Sequence, residues 1–318
     1  MKKYQHYIAL ILCAAFILRV TGVTFGLPLW VVGDEPGLIF GTLKMMELKT
    51  LLPSLHVMEF SKTFYYGPYL PFLYILPFTA VSGISFLFFN GNFLEFKNFL
   101  AADPSSFFLV ARFISVLFGT AAVWLIYKVG KAIFKSEQAA IFSATFLAFS
   151  FLLVNFSHWA RHWATVTFFF TLVIYVLSRP NWSVARRYTS ALLISGLSVG
   201  VSLQAGLSLF FVSLWFLLVD KLSIIDTLKK KWFLLSLSGL VALIVVAYLI
   251  WPNSFGFLTA SFTPGVSAVS KNFSGLISSY VLHIVNLLVG EPVFFIFFFI
   301  GLLYCIRRYR CYFWSFFI

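Results

Sequence analysis

Apolar residues run along this chain in long blocks. A membrane-spanning helix needs about 20 apolar residues. The blocks 8–29, 107–127, 138–156, 163–178, 189–203, 206–219, 232–250 and 292–306 meet or approach that length. Two further blocks, 67–89 and 276–289, are apolar but ambiguous, and Pro68, Pro71 and Pro77 make the first a poor straight helix. No soluble domain interrupts the blocks, and no internal repeat at solenoid spacing is visible. The pattern predicts an all-α, polytopic helical membrane protein with about eight spanning helices, forming one transmembrane domain over 1–318. Composition agrees. The chain is 61% hydrophobic and 10% charged, with a mean hydropathy of +0.96, whereas soluble domains carry about 25% charged residues. A water-soluble globule, a disordered chain and a nucleic-acid-binding module are excluded.

Charge position then orients the blocks. The net charge of +13 is concentrated in five basic clusters: Lys2/Lys3, Lys128/Lys131/Lys135, Arg179/Arg186/Arg187, Lys221/Lys229/Lys230/Lys231 and Arg307/Arg308/Arg310. Basic residues gather on the cytoplasmic side. If all five clusters lie there, the eight firm blocks cross and the two ambiguous ones rest in the outer interface. The N-terminus is then cytoplasmic, in an integral protein of the cell membrane. The first block follows Lys2-Lys3 and lacks a small-residue cleavage site, so it reads as an uncleaved signal anchor. The short blocks 189–203 and 206–219 read as a thin hairpin. Two outer loops become long, 30–106 and 251–291, and they hold seven of the ten acidic residues. The polar chemistry is expected on the extracytoplasmic face. Three cysteines are too few for a disulfide framework and read as packing residues.

Several residues on that face bear chemistry. Asp34 and Glu35 follow the first block directly, and a carboxylate beside an acceptor hydroxyl can act as a general base. The same pair, ahead of Pro36, also suits the start of a helix. After it, Leu38, Ile39, Leu43, Met46 and Leu51 recur at helical spacing and predict an interfacial amphipathic helix. Ser157-His158-Trp159-Ala160-Arg161-His162-Trp163 forms an outer turn. Arg161 suits a phosphate, through charge-assisted bidentate hydrogen bonds, or a lipid headgroup reached by snorkelling. His158 and His162 are four apart and would share a helix face, but no third metal ligand lies nearby, so no metal is expected. Arg19 lies within a span and Arg112 near the outer start of another. Such arginines require partners, and for Arg19 an outer-loop carboxylate is expected. Gly196, Gly200 and Gly206 mark close helix packing around Gln204, at the outer tip of the hairpin.

Taken in order, these segments resemble the GT-C fold membrane glycosyltransferases of the protein O-mannosyltransferase / aminoarabinose transferase-like group (glycosyltransferase family 39-like). Leu18-Arg19-Val20 followed by Gly33-Asp34-Glu35 is similar to the family's "R…DE" opening. Tyr65-Tyr66-Gly67-Pro68-Tyr69-Leu70-Pro71 is similar to its "YPPLY" segment. Ala111-Arg112-Phe113-Ile114-Ser115 through Gly119, then Tyr127-Lys128-Val129-Gly130-Lys131, resembles its "AR.hS…G…Y..G+" helix. Ser157-His158-Trp159-Ala160-Arg161 sits where members carry "S.eaR". Gly196-Leu197-Ser198-Val199-Gly200 with Gln204 resembles "GL..G…..K". The resemblance spans about residues 8–306. It implies a polyprenyl-phosphate-linked sugar as donor, an outer-face active site, inversion at the sugar carbon and no cofactor or obligatory metal. Asp34 then inherits the base role and Glu35 a supporting one. Arg161, His158, His162, Gln204, Arg112 and Tyr66 are the candidates for substrate binding. The acceptor is a hydroxyl of a protein, lipid or glycan.

Three departures stand out. Gln204 replaces a common Lys, His162 stands where many members have Asp, and the chain ends at Ile318 within a further apolar stretch. Two competing readings follow from these features, a non-enzymatic lipid-linked-sugar flippase and a shortened, inactive family member. A flippase should carry charges at the bilayer midplane and two related halves. Here the charges cluster on one face and no halves repeat.

Overall fold

The computed structural model describes residues 2–29, 35–60 and 68–251, and helices are the only regular elements among them. In chain order they are α1 (Lys2–Val20), α2 (Glu35–Glu47), α3 (Val57–Phe60), α4 (Leu70–Phe86), α5 (Phe93–Ala102), α6 (Ser105–Phe134), α7 (Glu137–Ala148), α8 (Phe151–Ser157), α9 (His162–Leu177), α10 (Val184–Val201), α11 (Leu207–Leu214), α12 (Ile224–Leu228) and α13 (Lys231–Ile250). A 3-10 turn, Leu203–Gly206, precedes α11, and a π-helical turn, Trp215–Val219, extends it. Starts are set by polar caps. Ser136, Ser150, Ser183 and Ser223 each accept a hydrogen bond from the backbone N–H three residues on, satisfying a donor the helix cannot use. Asp103 does the same for Ser105 N at the head of α6.

At about 1.5 Å per residue, the 30 residues of α6 are long enough to cross a ~30 Å hydrocarbon core with turns to spare. It is the spine of the molecule. α1, α7 and α9 pack along it, and α10 bridges α9 to α13. One core joins Leu38 and Ile39 of α2, Leu70, Tyr74 and Phe78 of α4, and Phe107, Phe108 and Ala111 of α6, with Ala160 and Val201. A second lies at the opposite end, among Val173, Val176, Tyr188, Leu192, Val212, Phe216 and Leu240. Leu10, Ile17, Leu117, Trp124, Phe210, Leu234 and Val241 are exposed on the outside of the bundle, where lipid replaces water.

Among the described residues, Leu70–Phe89, Ser105–Phe134 and Lys231–Ile250 are long and apolar enough to cross a membrane, and α7 with α8 is apolar enough only as a pair bent by 57°, the form of a broken span or a re-entrant loop. Tyr4–Val20, His162–Leu177 and Leu203–Val219 are shorter apolar helices. The fold is thus the expected all-helical membrane type, with differences in detail. The first block is helical only to Val20 and then follows turns to residue 29, because Gly22 and Gly26 take positive φ and Pro28 has no N–H to give. The three prolines do not break α4. Pro68 precedes it, Pro71 lies in its first turn, where no helical N–H is needed, and only Pro77 is interior. By length alone this helix can cross, whereas the charge pattern places it in the interface. At the expected thin hairpin, α10 ends at Val201, Ser202 is extended, and the chain turns through Leu203–Gly206 into α11. The second outer loop, 251–291, and the block 292–306 lie outside the described residues, apart from Trp251.

Candidate functional site

The site is built where α2, the head of α6, the α8–α9 turn and the α10–α11 turn meet. Glu35 opens α2 and is fully buried. Its carboxylate faces Arg112 of α6, itself 1% exposed, with Arg112 Nε at 2.9 Å from Oε1 and Nη2 at 2.6 Å from Oε2. The pair is bidentate, the geometry in which a guanidinium binds a carboxylate most strongly. Arg112 Nη1 also donates to the carbonyl oxygens of Val23 at 2.6 Å and Phe25 at 2.8 Å. This arginine thus closes the turns after α1 onto α6. Oε1 of Glu35 accepts a further hydrogen bond from the backbone N–H of Ala160 at 2.6 Å. One buried carboxylate therefore ties three segments together: the turns after α1, the head of α6 and the α8–α9 turn.

That third contact joins two stretches the sequence singled out separately. Asp34 precedes Glu35 and Arg161 follows Ala160, so each is one residue from the same hydrogen bond. Arg161 is the extended residue before α9, partly buried, with its guanidinium 5.9 Å from the centre of the Trp159 ring. His162 is buried at the start of α9 and its Nε2 donates to Oε1 of Gln204 at 3.3 Å. Gln204, exposed in the α10–α11 turn, is thereby held beside the α8–α9 turn. Asp34 and Tyr66 lie outside the described residues.

Two expectations are corrected by this geometry. His158 and His162 do not share a helix face. α8 ends at Ser157, the chain turns, and His158 Nε2 donates to the carbonyl oxygen of Leu18 at 3.1 Å, away from Gln204. No three of His, Cys, Asp and Glu converge among the described residues. Arg19 does not pair with a carboxylate. Its Nη1 donates to the carbonyl oxygens of Ala15 at 2.9 Å and Ala148 at 3.0 Å, and its Nη2 to that of Leu147 at 3.2 Å. The bend between α7 and α8 frees those last carbonyls from helical pairing, and Arg19 satisfies them. The intramembrane arginine that meets a carboxylate is Arg112.

Two glycines let the elements come close enough. A Cβ on Gly119 would lie 2.2 Å from Ser157 Oγ and 3.1 Å from Arg19 Nε, so α6 could not meet α8 and α1 as it does. A Cβ on Gly200 would lie 2.2 Å from the Tyr69 ring. Tyr69 N donates to Gly200 O at 2.9 Å, and the Tyr69 hydroxyl donates to Leu243 O at 2.6 Å. The segment entering α4 is thereby clipped to α10 and α13. Tyr69, the Ala160 N–H and the carbonyls of Val23 and Phe25 were not anticipated as site residues. Only Tyr69 carried a signal, as part of the aromatic, proline-rich segment; backbone groups carry none.

The described residues form an all-helical integral membrane protein with its polar constellation at one end of the bundle. Residues 105–251, from the head of α6 to just past α13, match the family model of dolichyl-phosphate-mannose-protein mannosyltransferase. The match bears out the resemblance drawn from the sequence and supports a membrane glycosyltransferase of the GT-C type. It does not extend to the loop that carries Asp34 and Glu35. No curated protein and no solved structure matches the chain.

Proposed function

We propose that this protein transfers a sugar from a polyprenyl-phosphate-linked donor to an acceptor hydroxyl at the extracytoplasmic membrane face. Asp34 is the general base that takes the hydroxyl proton as the oxygen attacks the anomeric carbon. The lipid phosphate departs from the opposite face, so the reaction inverts that carbon. The observation that carries this reading is the hydrogen bond from Ala160 N to Glu35 at 2.6 Å. It links Glu35, the sequence neighbour of the proposed base, to the turn bearing Arg161, and this supports reading a base and a cation as parts of one site. Glu35 is neutralised by Arg112 and supports rather than reacts.

Negative charge grows on the lipid phosphate as the glycosidic bond breaks, and cationic donors aimed at it favour the transition state over the ground state. Arg161 fills that role in this reading. His162 and Gln204, in contact with each other, help to orient the phosphate in this reading. The deciding experiment incubates purified protein with a radiolabelled sugar on a defined polyprenyl-phosphate and an acceptor extract, with Asp34→Asn as control. Transfer by the wild type and its loss in the variant support the reading. Transfer retained at more than about half the wild-type rate in Asp34→Asn removes the base assignment, since losing a positioned base costs about 10²–10⁴ in rate.

A further inference from the structure

The bundle's opposite end carries a second feature that the transfer chemistry does not use. A cavity of about 190 Å³ lies between α10, α11 with its π turn, α12 and α13. Its walls include Leu192, Val212, Phe216, Leu228 and Phe233. Its polar lining residues are Tyr188, Ser213 and Thr227, and the first two hydroxyls are engaged elsewhere. The Tyr188 hydroxyl donates to Asp220 at 2.7 Å and the Ser213 hydroxyl to Leu209 O at 3.0 Å. Asp220 in turn pairs with Arg187 at 3.1 Å. The lining thus suits a hydrocarbon chain and offers little to water or a polar head. Leu217, Ile224 and Leu228 line the same cavity and are 44%, 53% and 45% exposed, so the cavity continues into the lipid-facing surface.

Charge completes the match. Lys221, Lys229, Lys230 and Lys231 are all exposed and flank α12, and Asp226 is the one acidic residue within that helix. Apolar walls beneath a cluster of lysines at a helix-bundle end are the two halves of an amphiphile's binding site. The geometry points to a site for one anionic phospholipid, part of one acyl chain in the α10–α13 cavity, the rest of the lipid along the lipid-facing surface, and its phosphate headgroup on Lys221, Lys229 and Lys230. The lipid comes from the leaflet that this basic end faces, away from the Glu35–Arg112 constellation. The π turn is part of the device, because its wider winding carries Phe216 and Leu217 to the cavity wall before the chain reaches Asp220. A lipid seated there would brace α12 against the α10–α13 pair.

The test uses the full chain purified in detergent. Native mass spectrometry would follow retention of phosphatidylglycerol and phosphatidylcholine with identical acyl chains. The wild type should retain phosphatidylglycerol in preference. Replacing Lys221, Lys229 and Lys230 together with Gln should cut that preference roughly tenfold or more, since each basic residue near a surface is worth about fivefold. These side chains are exposed, so the fold should survive, as a thermal melt would verify. Val212→Phe, or Leu217→Phe at the mouth if the first variant does not fold, should reduce retention of both lipids. Soluble glycerophosphoglycerol should displace neither. Equal retention of the two lipids by the wild type would overturn the site. So would unchanged preference in the triple variant, or displacement by the soluble headgroup.

Discussion

Arg112 and Glu35 face each other with almost no solvent access, and that burial sets what each substitution does. Removing one member of such a pair leaves an unpaired buried charge, which costs about 3–5 kcal/mol, whereas removing both costs far less. Arg112→Met should therefore lower the unfolding temperature sharply, and Arg112→Met with Glu35→Gln should recover much of the loss. Gln at 35 can still accept from Ala160 N through its amide oxygen. Thermal unfolding of the four proteins in detergent gives the coupling, and a coupling below about 0.5 kcal/mol would refute the pairing. Arg161 behaves differently under the proposed mechanism. Arg161→Ala should cut kcat strongly, Arg161→Lys should restore it only in part because the planar fork is lost, and Gln204→Lys should be tolerated or activating. Unchanged turnover and donor affinity in Arg161→Ala would leave it an interfacial residue.

Between elements, the clip at Tyr69 is the contact most open to test. A methyl at position 200 has no room against the ring, and overpacking of this kind costs about 1–3 kcal/mol. Gly200→Ala should destabilise the protein and Tyr69→Ala in the same chain should relieve the clash, although the hydroxyl contact to Leu243 is lost. A melt of Gly200→Ala equal to the wild type would show that α10 and the segment entering α4 are not in register as described. Much of this level was legible beforehand. Hydrophobic blocks and glycines marked α6, α9, α10 and α13, and the amphipathic spacing after Glu35 marked α2. The bend between α7 and α8 was not, because Phe149 and Ser150 sit inside an unbroken apolar run and neither is a helix breaker by type. The partner of Arg19 was illegible for the same reason: its acceptors are carbonyls freed by that bend, and a carbonyl has no letter of its own.

At the scale of the molecule, topology is the open prediction. Single cysteines at the exposed positions Ala102 and Gln204 should label with an impermeant thiol reagent in intact cells, and cysteines at Ser136 and Ser183 should not. Labelling at Ser136 with protection at Ala102 would mean that Leu70–Phe89 crosses and that the charge pattern misassigned the first outer loop. The candidate site was half legible. Asp34–Glu35 and the turn around Arg161 stood out as polar chemistry in an apolar chain, but their joining through Ala160 N depends on how α6 and α9 stack, which no local pattern encodes.

The Arg19 contact also bears on how the chain is made. Its acceptors at Leu147 and Ala148 lie 128 and 129 residues downstream. While the ribosome is still adding α6, the guanidinium has only the Ala15 carbonyl of its own helix. An arginine so placed draws its helix toward the headgroups, where its long stem can reach polar surroundings. Nascent α1 is therefore expected to sit shallow during synthesis and to reach its final depth only after α7 has emerged and its terminal carbonyls are ready. Nascent chains of increasing length, each with a cysteine at Thr21, should lose thiol accessibility once the α7–α8 corner has left the exit tunnel. Accessibility that is already low in the shortest chains would mean that α1 reaches its depth unaided.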